Sequence, residues 1–112
     1  MKPGNIVLAA LPQSDGKLKQ RPALLLKFIP PYNDLLVCGI SSKLHQEVIG
    51  FDQTLKPNDS DFASSKLVQS SVIRLGYLVV LPKAIVSGSI GHISDKRLQH
   101  LKQSLVDFLL SN

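Results

Sequence analysis

The chain has 112 residues, 44% apolar and 19% charged, with a formal net charge of +5; this predicts one domain over residues 1–112, able to bury a core without staples. The single cysteine excludes an intramolecular disulfide framework or a cysteine zinc site, and no apolar run is long enough for a transmembrane helix. Lysines outnumber arginines ten to three, a balance that suits an anionic partner such as RNA, DNA or an acidic protein, although many basic proteins have none.

The chain opens with Met1-Lys2-Pro3-Gly4-Asn5 and a short apolar run, Ile6 to Leu11, which Pro12 stops. A secretory signal needs a longer apolar stretch, so a cytoplasmic location without membrane contact is expected. Ile6 to Leu11 predicts a first strand, apolar on both faces. Pro12 to Gln20 predicts a loop, with turn chemistry at Ser14-Asp15-Gly16. Lys17, Lys19 and Arg21 fall in or beside it. Arg21 precedes Pro22, which biases it toward extended geometry. A guanidinium held at a loop mouth can grip a phosphate through paired charge-assisted hydrogen bonds; an ordinary surface arginine at a strand start is the plainer reading.

Ala23 to Ile29 predicts the second strand, Pro30 to Asp34 a turn, and Leu35 to Ile40 the third strand. Two strands of similar length joined by a short turn place their far ends side by side. That hairpin returns Ser41-Ser42 toward Arg21. Cys38, inside the third strand, reads as a buried structural thiol rather than a nucleophile. Val48 to Phe51 predicts a short fourth strand. Asp52 to Ser65 is polar, with a helical turn around Asp61-Phe62-Ala63. Lys66 to Leu75 predicts a strand, kinked at Ser70-Ser71, and Tyr77 to Leu81 a further strand after Gly76. Ser87 to Ile93 is a short extended segment. Ser94 is a good N-cap and Asp95 favours a first turn; Leu98, Leu101, Leu105, Phe108 and Leu109 then recur at helical spacing. The sum is a mainly β domain with a C-terminal helix, a small β-barrel. Six aromatic residues make an RRM-type stacking platform a poor fit.

Three stretches in order carry a resemblance: Lys2-Pro3-Gly4-Asn5-Ile6-Val7-Leu8, Arg21-Pro22-Ala23-Leu24-Leu25 and Gly39-Ile40-Ser41-Ser42. Together they resemble the MazF/PemK (Kid-like) toxins of bacterial toxin–antitoxin modules, and Ile90-Gly91-His92-Ile93-Ser94-Asp95 before the helix is similar too. The ordered set, not any one motif, carries the likeness, over nearly the whole chain. The resemblance implies an SH3-like barrel, a homodimer and a metal-independent endoribonuclease without cofactor. It implies single-stranded RNA and an acidic antitoxin as partners, with DNA reached only through the antitoxin. Its catalytic arginine matches Arg21, and its hydroxyl residue, usually threonine, matches Ser41. Some members carry an acidic residue where this chain has Gln69-Ser70-Ser71, and others a small hydroxyl residue.

In that chemistry a 2′-hydroxyl attacks the neighbouring phosphate, and the protein aligns the attack and stabilises charge on the phosphoryl oxygens. Arg21 suits the second task, and Ser41 can donate a further hydrogen bond. Arginine stays protonated, so it is a poor general base; the base is unassigned. Lys17, Lys19, Ser42, Lys43 and His45 are the expected substrate contacts, with a solvated loop histidine the plainer reading of His45. Arg74 reads as a salt-bridge or backbone contact, His92 as structural, and His100 as a polar helix position. No histidine pair has metal-ligand spacing, so no metal is expected. A binding-only barrel is the alternative. The gyrase-poisoning CcdB toxins use a tryptophan-containing C-terminal end, which this chain lacks; a catalytically weak, partner-binding member is a further option.

Overall fold

A computed structural model describes residues 1–112. Its shape follows from three strands that are apolar on both faces. β1 (Asn5–Pro12), β2 (Leu18–Ile29) and β3 (Asp34–Ser41) are antiparallel neighbours. Successive side chains of a strand point to opposite faces, so Ala23-Leu24-Leu25-Leu26 feeds two cores. Leu24 and Leu26 join Ile6, Cys38 and Ile73 on one face. Ala23 and Leu25 join Val7, Ala9 and Val37 on the other.

A flat sheet would leave one of these faces wet. The sheet instead curls as a half-barrel, in the order β4-β5-β3-β2-β1-β6. Here β4 is Gln53–Leu55, β5 is Ser71–Leu81 and β6 is Val86–His92. Strand residues alone close the second core, with Leu35 and Leu81 among them. The first core is covered by α2 (Asp95–Leu110), which buries Leu98 and Leu101. Ser94 caps that helix as expected, its Oγ accepting from the Arg97 N–H at 3.1 Å. No helix is long and apolar enough to cross a membrane.

β4 and β6 are the sheet's edges, and α1 (Phe62–Ser65) fills the space beside β6. Ser64 Oγ donates to the His92 carbonyl at 2.9 Å. Gly91 permits this approach, since a Cβ there would collide with the carbonyl oxygens of Ser64 and Ser65. A buried ion pair holds the same region. Arg97 donates to Asp61 from Nε at 2.8 Å and from NH2 at 3.1 Å, and to Gln53 Oε1 at 2.9 Å. One guanidinium thus ties α2 to α1 and to β4.

The predicted strands and helix are present with shifted bounds, apart from Val48–Phe51. β2 begins at Leu18, so Lys19 and Arg21 lie inside a strand and not in a loop or at its mouth. Val48–Phe51 is a turn, closed by the Val48 N–H donating to Asp52 Oδ2 at 2.9 Å; the fourth strand is Gln53–Leu55. The strand expected from Lys66 starts only at Ser71, because Lys66 is left-handed at φ 61° and ends α1. That strand runs unbroken through Gly76 to Leu81, joining two predicted strands into one.

Candidate functional site

Alternation along three strands brings three polar side chains to one end of the second core's face. On β2, Leu25, Ala23 and Arg21 share a face; on β3, Val37, Gly39 and Ser41 do. The β2–β3 ladder ends at the pair Ala23–Gly39, and Arg21 and Ser41 lie two residues beyond it on their strands. On the other side of β3, Gly39 pairs with Arg74 and Ser41 with Val72. Arg21, Ser41 and Arg74 are therefore the polar continuation of an apolar row.

They line one cleft of about 110 Å³, with Ser42, Lys43, Gln46, Gln13 and Tyr77 also in its wall. Arg21, Ser41 and Arg74 are half-buried, and Ser42 and Lys43 are exposed. Ser41 Oγ accepts from the Lys43 N–H at 3.1 Å. That contact fixes the hydroxyl as an acceptor and leaves its proton free to donate outward. Tyr77 closes the side, its hydroxyl donating to the Pro12 carbonyl at 2.5 Å.

Charge decides what the cleft can hold. Of three arginines in the chain, Arg97 is paired with Asp59 and Asp61. Arg21 and Arg74 have no carboxylate partner, and the wall holds no Asp, Glu or His. Two guanidinium groups, a lysine and a hydroxyl without a counter-charge form a site for an anion, and guanidinium matches phosphate geometry best. The Gln46 side-chain oxygen, enclosed in this wall, has no hydrogen-bond partner.

Of the residues expected from sequence, Arg21, Ser41, Ser42 and Lys43 come together here. Lys19 lies on the strand face of Arg21, paired with Leu11, but outside the wall. Lys17 is in the preceding turn, its N–H donating to Asp15 Oδ1 at 2.9 Å. His45 is exposed on the turn Leu44–Gln46, and its neighbour Gln46 takes the place in the wall. Arg74, expected as a salt-bridge or backbone contact, makes neither and faces the cleft. Its signal was a lone cation inside the apolar run of β5; Gln13, Gln46 and Tyr77 gave none. Cys38 is fully buried, and burial, with a smaller effect of the Asp52 charge, pushes its thiol up to about 12. It is an inert core residue.

A family model described as PemK-like, MazF-like toxin of type II toxin-antitoxin system matches residues 2–109. The chain belongs to this family. Among solved structures, the Mycobacterium tuberculosis toxin MazF-mt6 is similar in fold, with a TM-score of 0.70 at 20% identity. The match covers 96% of this chain and 99% of that one. No curated protein matches the chain. Family membership gives the half-barrel a setting: the toxin side of a two-component system whose other half is an antitoxin.

Proposed function

We propose that this toxin is an endoribonuclease that cleaves single-stranded RNA in the cleft between Arg21 and Arg74. The observation that carries the reading is the pair of arginines without carboxylate partners, with the Ser41 hydroxyl beside them. The 2′-oxygen of the substrate forms a bond to phosphorus and gives its proton to solvent water, since the wall holds no carboxylate or imidazole. The bond from phosphorus to the 5′-oxygen breaks, and that oxygen takes up a proton from water. The products are a 2′,3′-cyclic phosphate and a 5′-hydroxyl. Arg21 and Arg74 stabilise the charge that builds on the phosphoryl oxygens, and Ser41 donates a further hydrogen bond there. Lys43 and Ser42 hold the strand at the rim, and Lys17, Lys19 and His45 guide it from outside. The working unit is a homodimer in the cytoplasm, and an acidic antitoxin occupies the same basic surface.

A second reading has its own observation. The cleft wall has neither a carboxylate nor an imidazole to take the 2′-proton, which favours a binding-only or catalytically weak member. One experiment separates the two. Pure protein is incubated with a long single-stranded RNA in EDTA, and the ends are mapped. Cleavage at defined sites with cyclic phosphate ends supports the nuclease; intact RNA under all conditions, with binding retained, supports the other.

A further inference from the structure

A second concavity of about 160 Å³ adjoins the Arg21–Arg74 cleft, and Arg21, Ile40 and Ser42 belong to both walls. Arg21 thus stands between two chambers of different chemistry. The cleft side is cationic. The far side is built from the turn between α1 and β5, where Leu67, Val68 and Gln69 supply an aliphatic surface and an amide.

Two features set this turn apart. Val68 is 92% exposed, a branched apolar side chain standing in water beside a guanidinium. The Gln69 side-chain amide makes no hydrogen bond within the chain, although the backbone around it is fixed. The Leu67 N–H donates to Ser65 Oγ at 3.2 Å, and Ser71 Oγ donates to the Gln69 carbonyl at 2.9 Å. The frame is tied and the two side chains are free.

An aliphatic wall, a guanidinium plane and an unpaired carboxamide are the groups a nucleobase uses. Its faces pack on apolar or guanidinium surfaces, and its edge pairs with an adjacent donor and acceptor.

We propose that this second concavity holds the base next to the phosphate gripped by Arg21, and that Gln69 sets which base enters. The inference rests on the reading of the neighbouring cleft as a phosphate site. A carboxamide presents a donor beside an acceptor, so its orientation selects among bases whose edges carry those groups in a particular order.

The test has a binding arm that does not depend on cleavage. Short 2′-fluoro homo-oligomers of A, C and U, which lack the attacking hydroxyl, are titrated into wild type and Gln69→Ala and followed by fluorescence anisotropy. Gln69 is exposed, so the variant is expected to fold, and circular dichroism checks it. Wild type should prefer one oligomer by about tenfold, in line with the discrimination of a paired base contact. Gln69→Ala should flatten that ratio while binding the least favoured oligomer as before. Equal affinities in wild type, or an unchanged ratio in the variant, overturns the proposal. In a cleavage arm, end-mapping with Gln69→Ala should relax the consensus at one position beside the cut, and an unchanged consensus counts against Gln69. If wild type cleaves nothing while the binding ratio flattens, the nuclease reading fails and the base subsite stands.

Discussion

The ring of Tyr77 lies over Gly39, so close that a methyl group on Gly39 would stand 3.2 Å from two of its carbons. The cause is a break in register on β5. Cys38 pairs with Leu78 but Gly39 pairs with Arg74, so Leu75, Gly76 and Tyr77 have no partner on β3. Such a bulge bends its strand and re-aims side chains. Here it delivers Tyr77 to the cleft wall and leaves Arg74 just before the bend. The freed Leu75 N–H is not wasted in the interior: it donates to buried Asp52 Oδ1 at 2.9 Å.

Gly39→Ala should therefore act on the cleft and on the fold together. Tyr77 cannot simply swing aside, because its hydroxyl is held by the Pro12 carbonyl. Overpacking of this kind costs about 1–3 kcal/mol, to be read by urea unfolding. RNA cleavage should fall further than the loss of folded protein explains. Wild-type stability and rate in this variant would show that Tyr77 yields freely.

The two unpaired arginines give a sharper expectation. Arg21→Ala and Arg74→Ala should each lower cleavage by about 10²–10³, the cost of removing one charge-stabilising donor. Neither is a core residue or an ion-pair member, so thermal midpoints should stay near wild type. Lysine at either position should rescue poorly, since an ammonium lacks the planar fork. Single-turnover rates on a short RNA measure this, and a wild-type rate in Arg21→Ala would place the chemistry elsewhere.

Legibility in the sequence tracked how strongly a segment's own residues determine its state. The runs Ile6–Leu11, Ala23–Ile29 and Leu35–Ile40 are apolar on both faces and were readable as strands. The similar lengths of the last two made the approach of Ser41 to Arg21 readable as well, and the two residues line one cleft. Val48–Phe51 misled because its apolar residues do not pair. Val48 and Ile49 are exposed, while Phe51 packs on Phe108 with ring centroids 4.8 Å apart. The contacts that turn this segment come from Asp52, a residue with no local strand or helix signal. Arg74 was visible as a cation in an apolar strand, but its direction depends on the pairing with Gly39. No sequence pattern announces a three-residue bulge.

Acid stability should report the Asp61–Arg97 pair. Burial works to raise the Asp61 carboxyl, but the Arg97 hydrogen bonds, the Ser94 N–H and the Arg97 charge outweigh it and hold it at about 2 against an ordinary 3.8. A depressed folded value means the stabilisation is complete above the ordinary value and is lost as pH falls from about 4 through about 2. Arg97→Ala strands a buried carboxylate and should cost about 3 kcal/mol at neutral pH. It should also flatten the acid limb of the stability curve, measured by urea midpoints at stepped pH. An acid limb unchanged in the variant would mean another carboxyl controls it.

Assembly is expected to be dimeric. Leu78, Val80 and Ile85 are exposed, as are Phe108, Leu109 and Leu110 at the end of α2. Large apolar surface of this kind marks a partner-binding face. Light scattering at micromolar concentration should give twice the mass of the 12.2 kDa chain. A monomeric mass would leave the site to one chain alone.

Ser41 supplies the most discriminating test of mechanism. Its Oγ already accepts from the Lys43 N–H, so its only unused function is donation. Ser41→Ala removes both contacts. If the hydroxyl stabilises the transition state, the rate should drop by about 10²–10³ with little change in RNA affinity. Ser41→Thr keeps both contacts and adds a methyl that restricts the rotamer. It should cleave at least as fast as wild type. The pair separates a chemical role from a structural one. Were Ser41 needed only to shape the Lys43 turn, Ser41→Asn or Ser41→Asp, whose side-chain oxygens can also accept from that N–H, would restore the loop and the rate. A hydroxyl donor predicts that neither restores it, and that the carboxylate is worse, because it adds a negative charge to a cationic cleft.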